Sequence, residues 1–181
     1  MARTLKLGAQ VLAVSLVAGL LALLVVRVVR DERNASIGAQ VRAGKTPDAP
    51  LFSLPRLDGR GEVALASFRG KPVVLDFWAS WCYPCRDQAK RLQKASKRYG
   101  DRIVFLGVDT KDYSGAARPW LKRYGVTYPN LHDGDGEVFE RYGGFPLPRT
   151  FFIDRDGRVI GEMSAEEDLP RFLKRLATSE S

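Results

Sequence analysis

Both cysteines of the 181-residue chain fall in one turn, Cys82 and Cys85 of "VLDFWASWCYPC". The segment before them, "KPVVLDFWAS", has a β-branched and aromatic core and reads as a buried strand. The segment after them, from Pro84 to Tyr99, sets Leu92, Ala95 and Tyr99 at helical spacing, and Gly100 closes it. This strand–turn–helix order implies an α/β arrangement with the turn at the carboxyl end of a central strand.

A Cys-x-x-Cys pair at such a helix start has a redox rationale. The helix N-terminus offers unpaired amides and a partial positive charge, which favour thiolate over thiol. Cys82, at the mouth, is expected to be exposed and to attack a disulfide. Cys85, one turn inward, is expected to be shielded and to resolve the mixed disulfide that forms. Pro84 is tolerated in the first turn, where its missing N–H costs little. An inert disulfide with this spacing would close too small a loop to stabilise a domain much. A zinc site wants four N/S ligands, whereas the chain offers two Cys and His132, which reads as a solvated histidine in the polar loop "HDGDGE".

Asp76 interrupts the apolar strand. A buried carboxylate is costly when ionised and unpaired, so Asp76 is expected to hold or take a proton beneath the cysteines, from Cys85 in particular. In "GGFPLPRTFFID" the proline directly before a strand, Pro148, implies a rigid turn whose isomer the sequence leaves open. Elsewhere, "LFSLPRLDG" and "GEVALASF" read as an opening hairpin, "RIVFLGVD" as a second buried strand and "SGAARPWLKRYG" as a helix with Trp120, Leu121 and Tyr124 inward. "TFFIDRDGRVIGEM" reads as two strands around Asp156-Gly157, and residues 166–177 as an amphipathic closing helix.

From Leu7 to Val26 no residue is charged, and Arg3, Lys6, Arg27, Arg30 and Arg33 flank the run. Twenty helical residues span a hydrocarbon core about 30 Å thick. An uncleaved anchor is expected over residues 7–29, after a basic segment 1–6. A cleavable signal would have a shorter apolar region followed by a small-residue cleavage site. Residues 30–46, polar and without sustained apolar period, are expected to be a flexible tether, and 47–178 the folded domain. Arginine placement alone does not set which side of the membrane the domain occupies. The net charge of +8 suits anionic lipid or an acidic partner. No basic–aromatic reader motif accompanies it, so nucleic acid is not an expected partner.

The run from about Thr46 to Leu176 resembles the membrane-anchored thioredoxin-like proteins of the TlpA/ResA kind. It does so through "LPRLDG", "SFRGKPVVLDFWASWC", "LKRYGVTYP", "HDGDGEV" and "PRTFFIDRDGRVI". The resemblance implies a thioredoxin fold with an N-terminal hairpin extension and a central insertion around residues 112–140. It also implies a cis bond at Pro148, a docking surface framed by Trp81, Tyr83, Pro84, Leu147 and Pro148, and catalysis by Cys82, Cys85 and Asp76. Relatives of this kind usually act outside the cytoplasmic membrane, many reducing disulfides in apocytochrome c or other exported proteins, with electrons from a membrane thiol transporter. The expectation is therefore a single-pass protein of the bacterial cytoplasmic membrane with its catalytic domain on the extracytoplasmic side. It would use no metal and no cofactor beyond the Cys82–Cys85 disulfide. The alternatives are a disulfide-donating oxidant, a copper-binding metallochaperone of related fold and a peroxidase of related fold. Several positions depart from the pattern. Asp76 stands where many anchored relatives have Asn, Tyr83 replaces acidic or small residues, and Arg149 adds a positive charge beside the expected groove.

Overall fold

The computed structural model describes residues 15–27, 35–164 and 169–178. Residues 15–27 are helical with outward apolar side chains, and among the described residues no helix is long and apolar enough to cross a membrane. The remainder of the anchor expected over 7–29 lies outside the described residues.

The redox domain is built on a five-stranded sheet. In chain order its strands are β3 (Val73–Trp78), β4 (Val104–Thr110), β5 (Asn130–Asp133), β6 (Arg149–Ile153) and β7 (Val159–Met163), arranged 5-4-3-6-7. β4 runs parallel to β3 and β5 to β4, whereas β6 and β7 are antiparallel. A separate hairpin of β1 (Ser53–Pro55) and β2 (Glu62–Ala64) precedes the sheet, as expected for the extension. The helices are α1 (Ile37–Arg42), α2 (Cys85–Tyr99), α3 (Ser114–Tyr124), α4 (Glu137–Tyr142) and α5 (Leu169–Thr178).

Every residue of β3 is buried, and its period of two divides the core. Val73, Leu75 and Phe77 face a cluster made with Phe52, Leu65, Phe139, Tyr142 and Phe151. Val74 faces Leu92, Phe152, Leu169 and Leu173, with Phe172 stacked on Phe152 at 4.4 Å. Trp78, on that second face, packs with Ala89, Ala117, Trp120 and both cysteines. Asp76 therefore lies between Val74 and Trp78 on the face that α2 covers. The result is a thioredoxin-like α/β fold.

Two sequence expectations are corrected here. The C-terminal part of the 30–46 tether is ordered: Ser36 caps α1, its Oγ accepting from the Ala39 amide, and Ile37 is buried in the core. Six residues give too short an apolar period, Ile37 and Val41 only, to stand out in the sequence. The "HDGDGE" stretch is not one loop. His132 and Asp133 belong to β5, and α4 starts at Glu137 after Gly136, whose φ of 81° lies in the left-handed region that glycine favours.

Candidate active site

The site forms where β3 ends. Trp78 stacks on Trp120 with ring centroids 4.3 Å apart, and its indole N–H donates to Asn130 Oδ1 at 2.9 Å. The chain then turns, the Cys82 amide bonding the Ala79 carbonyl, and enters α2 at Cys85. Cys82 and Cys85 are joined in a disulfide at this helix N-terminus. Cys85 is 1% exposed, as expected, but Cys82 is also buried, at 4%, and not open at the mouth. Leu57 from the hairpin turn, Trp120 and half-buried Leu147 share its cluster, a collar from distant segments that no local pattern announces.

The exposed residues beside the disulfide are its neighbours in sequence. Trp81 is 53% and Tyr83 72% exposed, and Pro84 is exposed too. Leu147–Pro148 is a cis peptide, as is Phe145–Pro146. Arg149 pairs with Phe77 across the sheet, so buried Pro148 stands beside the end of β3, where the cysteine turn begins. Arg149 does not add a free charge to this surface. It is 4% exposed and ion-paired with Glu162.

Asp76 is buried and faces Thr150 across the β3–β6 ladder. Thr150 Oγ1 donates to Asp76 Oδ1 at 2.8 Å and accepts from Gln88 Nε2 at 2.5 Å. Gln88 lies in the first turn of α2, three residues after Cys85. Burial pushes the Asp76 carboxyl up to about 7, against the opposing hydrogen bonds from Thr150 and Gln88. An acid in this range can hold or release a proton near neutral pH.

A second group of residues, which the sequence did not single out, holds the cysteine turn from behind. The Ser80 amide donates to Asp112 Oδ2 at 2.6 Å, and the Trp81 indole donates to the Lys111 carbonyl at 3.0 Å. Lys111 is the one non-glycine residue with positive φ among those described, at 49°. Such outliers collect at functional sites. Asp109, deeper in β4, bonds His132 Nδ1 at 2.8 Å, so His132 is half-buried and partnered and not a solvated loop residue. Burial, with the charges of Asp112 and Asp133 adding to it, pushes the Asp109 carboxyl up to about 9. These partners become legible only once β3, β4 and β5 are set side by side.

A disulfide at a helix start, a buried acid linked through Thr150 to the first turn of that helix and a proline loop beside the end of β3 define a thioredoxin-like thiol–disulfide oxidoreductase. Residues 46–161 match the AhpC/TSA family, and the chain belongs to it. The thiol-disulfide oxidoreductase ResA of Bacillus thuringiensis subsp. konkukian is 33% identical over 71% of this chain and 76% of its own length. The thiol:disulfide interchange protein DsbE of Pseudomonas fluorescens biotype C is 35% identical over 61% of each. A crystal structure of a DsbE-type thiol:disulfide interchange protein from Chlorobium tepidum superposes with a TM-score of 0.68 at 29% identity. It covers 74% of this chain and 97% of that one. The enzyme is a thiol–disulfide oxidoreductase of the ResA/DsbE type.

Proposed function

We propose that the chain is a membrane-anchored reductant of disulfides in exported proteins, apocytochrome c among them. The observation that carries the chemistry is the Cys82–Cys85 disulfide at the N-terminus of α2, whose first turn is linked through Gln88 and Thr150 to the buried Asp76. In the reduced enzyme the Cys82 thiolate attacks a substrate disulfide. One substrate thiolate leaves, and a mixed disulfide forms. Asp76 takes the proton of Cys85, and the Cys85 thiolate then attacks Cys82 Sγ, expelling the second substrate thiolate. The Cys82–Cys85 disulfide forms, and two electrons pass to the substrate. A membrane dithiol carrier returns them. Trp81, Tyr83, Pro84, Leu147 and Pro148 frame the surface on which an extended substrate segment lies, a form of strand addition beside β6. Supporting the anchor are the uncharged run from Leu7 to Val26 and its flanking arginines. Supporting the extracytoplasmic side are the family resemblance and the description of one structural neighbour, from Mycobacterium tuberculosis, as secreted.

Cys85→Ser should accumulate mixed disulfides through Cys82, seen as reducible adducts on gels of membranes, while Cys82→Ser should not. Absence of adducts in both would overturn the attack sequence. The direction of flow is read from the reduction potential in a thiol buffer. A value near about −270 mV fits a reductant, and one near about −120 mV means a disulfide donor.

A further inference from the structure

α1 lies before the family match and outside the cysteine machinery, yet it is seated on the loop that carries Pro148. Arg149, the residue after that proline, donates through Nε to Glu162 Oε1 at 2.8 Å, and through a second nitrogen to the same oxygen. Its third nitrogen donates to the Gly144 carbonyl at 2.8 Å. The other oxygen of Glu162 accepts from Arg42, at the end of α1, at 2.7 Å. The start of α1 approaches so closely that a Cβ on Gly38 would lie 2.0 Å from Arg149 Nη2 and 2.5 Å from Glu162 Oε2. A Cβ on Gly143 would lie 2.8 Å from Ser36 Cβ. Gly143 and Gly144 both hold positive φ, and the Arg149 guanidinium fastens the loop at that point. One step on, Phe145 is exposed and packs against Trp81 at 6.1 Å, and Leu147 joins the cysteine cluster.

We infer that α1 is a positioning element of the docking surface, holding the Gly143–Pro148 loop in place through the largely buried Arg149–Glu162 pair. The inference rests on the reading of that loop as the place where substrate docks. With α1 seated, the ion pair is largely shielded from water, the side chains of Arg149 and Glu162 being 5% and 10% exposed, and the Gly144 carbonyl keeps its donor. With α1 displaced, water reaches the pair, the fastening weakens and the loop must be ordered afresh by each substrate. The chemistry at Cys82 itself is untouched, because no residue of α1 belongs to its cluster.

Gly38→Ala in the full-length chain separates this role from a local one. Alanine is the better helix former, so a role confined to helix stability predicts a sturdier α1. Close approach to Arg149 predicts a displaced one. The probe is a serine–alanine decapeptide carrying one central cysteine as its mixed disulfide with thionitrobenzoate, compared with the same mixed disulfide of free cysteine. Release of thionitrobenzoate by the reduced enzyme is followed. The wild type should favour the peptide probe by about tenfold or more, and Gly38→Ala should lose most of that preference, since docking then includes the cost of ordering the loop. Its rate with the cysteine probe should stay unchanged, and amide exchange over residues 143–148 should accelerate. Arg42→Ala, an exposed change that spares the core, should move both readouts the same way by a smaller factor. Should Gly38→Ala fail to fold, this variant decides. Preference and exchange unchanged in the variants would overturn the inference. A wild type without preference for the peptide would overturn the docking reading beneath it.

Discussion

Asp76 shows what one residue contributes to this enzyme and what it costs. Its carboxyl titrates at about 7 in the folded chain against 3.8 in an ordinary setting, because burial disfavours the charge. The folded state therefore binds the proton more tightly than the unfolded one. Stability falls as pH rises from about 4 to about 7 and stays at the lower level above that. Asp76→Asn removes the penalty. It should raise the unfolding free energy of the oxidised protein at pH 8 by an amount on the order of 4 kcal/mol, with much less gain at pH 4, as urea titrations at the two pH values would show. The same variant should lose the rise in mixed-disulfide resolution that the wild type shows as pH passes through about 7, since only the ionised carboxylate can take the Cys85 proton. The sequence marked Asp76 because a charge inside an apolar strand is conspicuous. Thr150 and Gln88, which set its hydrogen bonds, read as an ordinary strand threonine and an ordinary helix polar residue until β6 and α2 meet β3.

At the scale of elements, α4 was illegible because its start has no capping side chain of its own. Gly136 occupies the cap position, and the amides of Val138 and Phe139 are taken instead by Asp133 at 3.1 and 2.9 Å. Asp133 also accepts from Thr110 across the β4–β5 pair. Asp133→Ala should destabilise the domain by about 2–4 kcal/mol, since it strips a cap and leaves buried donors unpaired. Guanidinium unfolding would measure this, and a loss below about 0.5 kcal/mol would mean that water replaces the carboxylate. Elements with their own signals were easier. The hairpin of β6 and β7 turns at Asp156-Gly157, with Gly157 at φ 79°, and α2 begins and ends close to where Pro84 and Gly100 place it.

For the whole molecule, every described core residue falls between Ile37 and Ala177, so the redox domain begins with α1 and not at the start of the family match. A chain starting at Ser36 should unfold at nearly the same Tm as the full-length protein and, on the proposed anchoring, be absent from the membrane fraction. One starting at Pro47 should lose several degrees, because Ile37 and the cover over Glu162 go with α1. Thermal unfolding of the two truncations checks this. Equal Tm values would mean that α1 adds nothing to the domain's stability.

What the sequence determined by itself was local chemistry: two thiols at a helix start, an acid in a buried strand, and a proline before the strand that follows. Each is set by neighbours a few residues away, where periodicity, helix-end electrostatics and turn geometry act. Tertiary structure decided who stands next to whom. It placed Leu57, Trp120 and Leu147 over Cys82, Asp112 behind Ser80, Thr150 beside Asp76 and α1 against Arg149. These contacts join residues far apart in the chain, and pairing across a sheet depends on the register of all its strands at once, which no single stretch encodes.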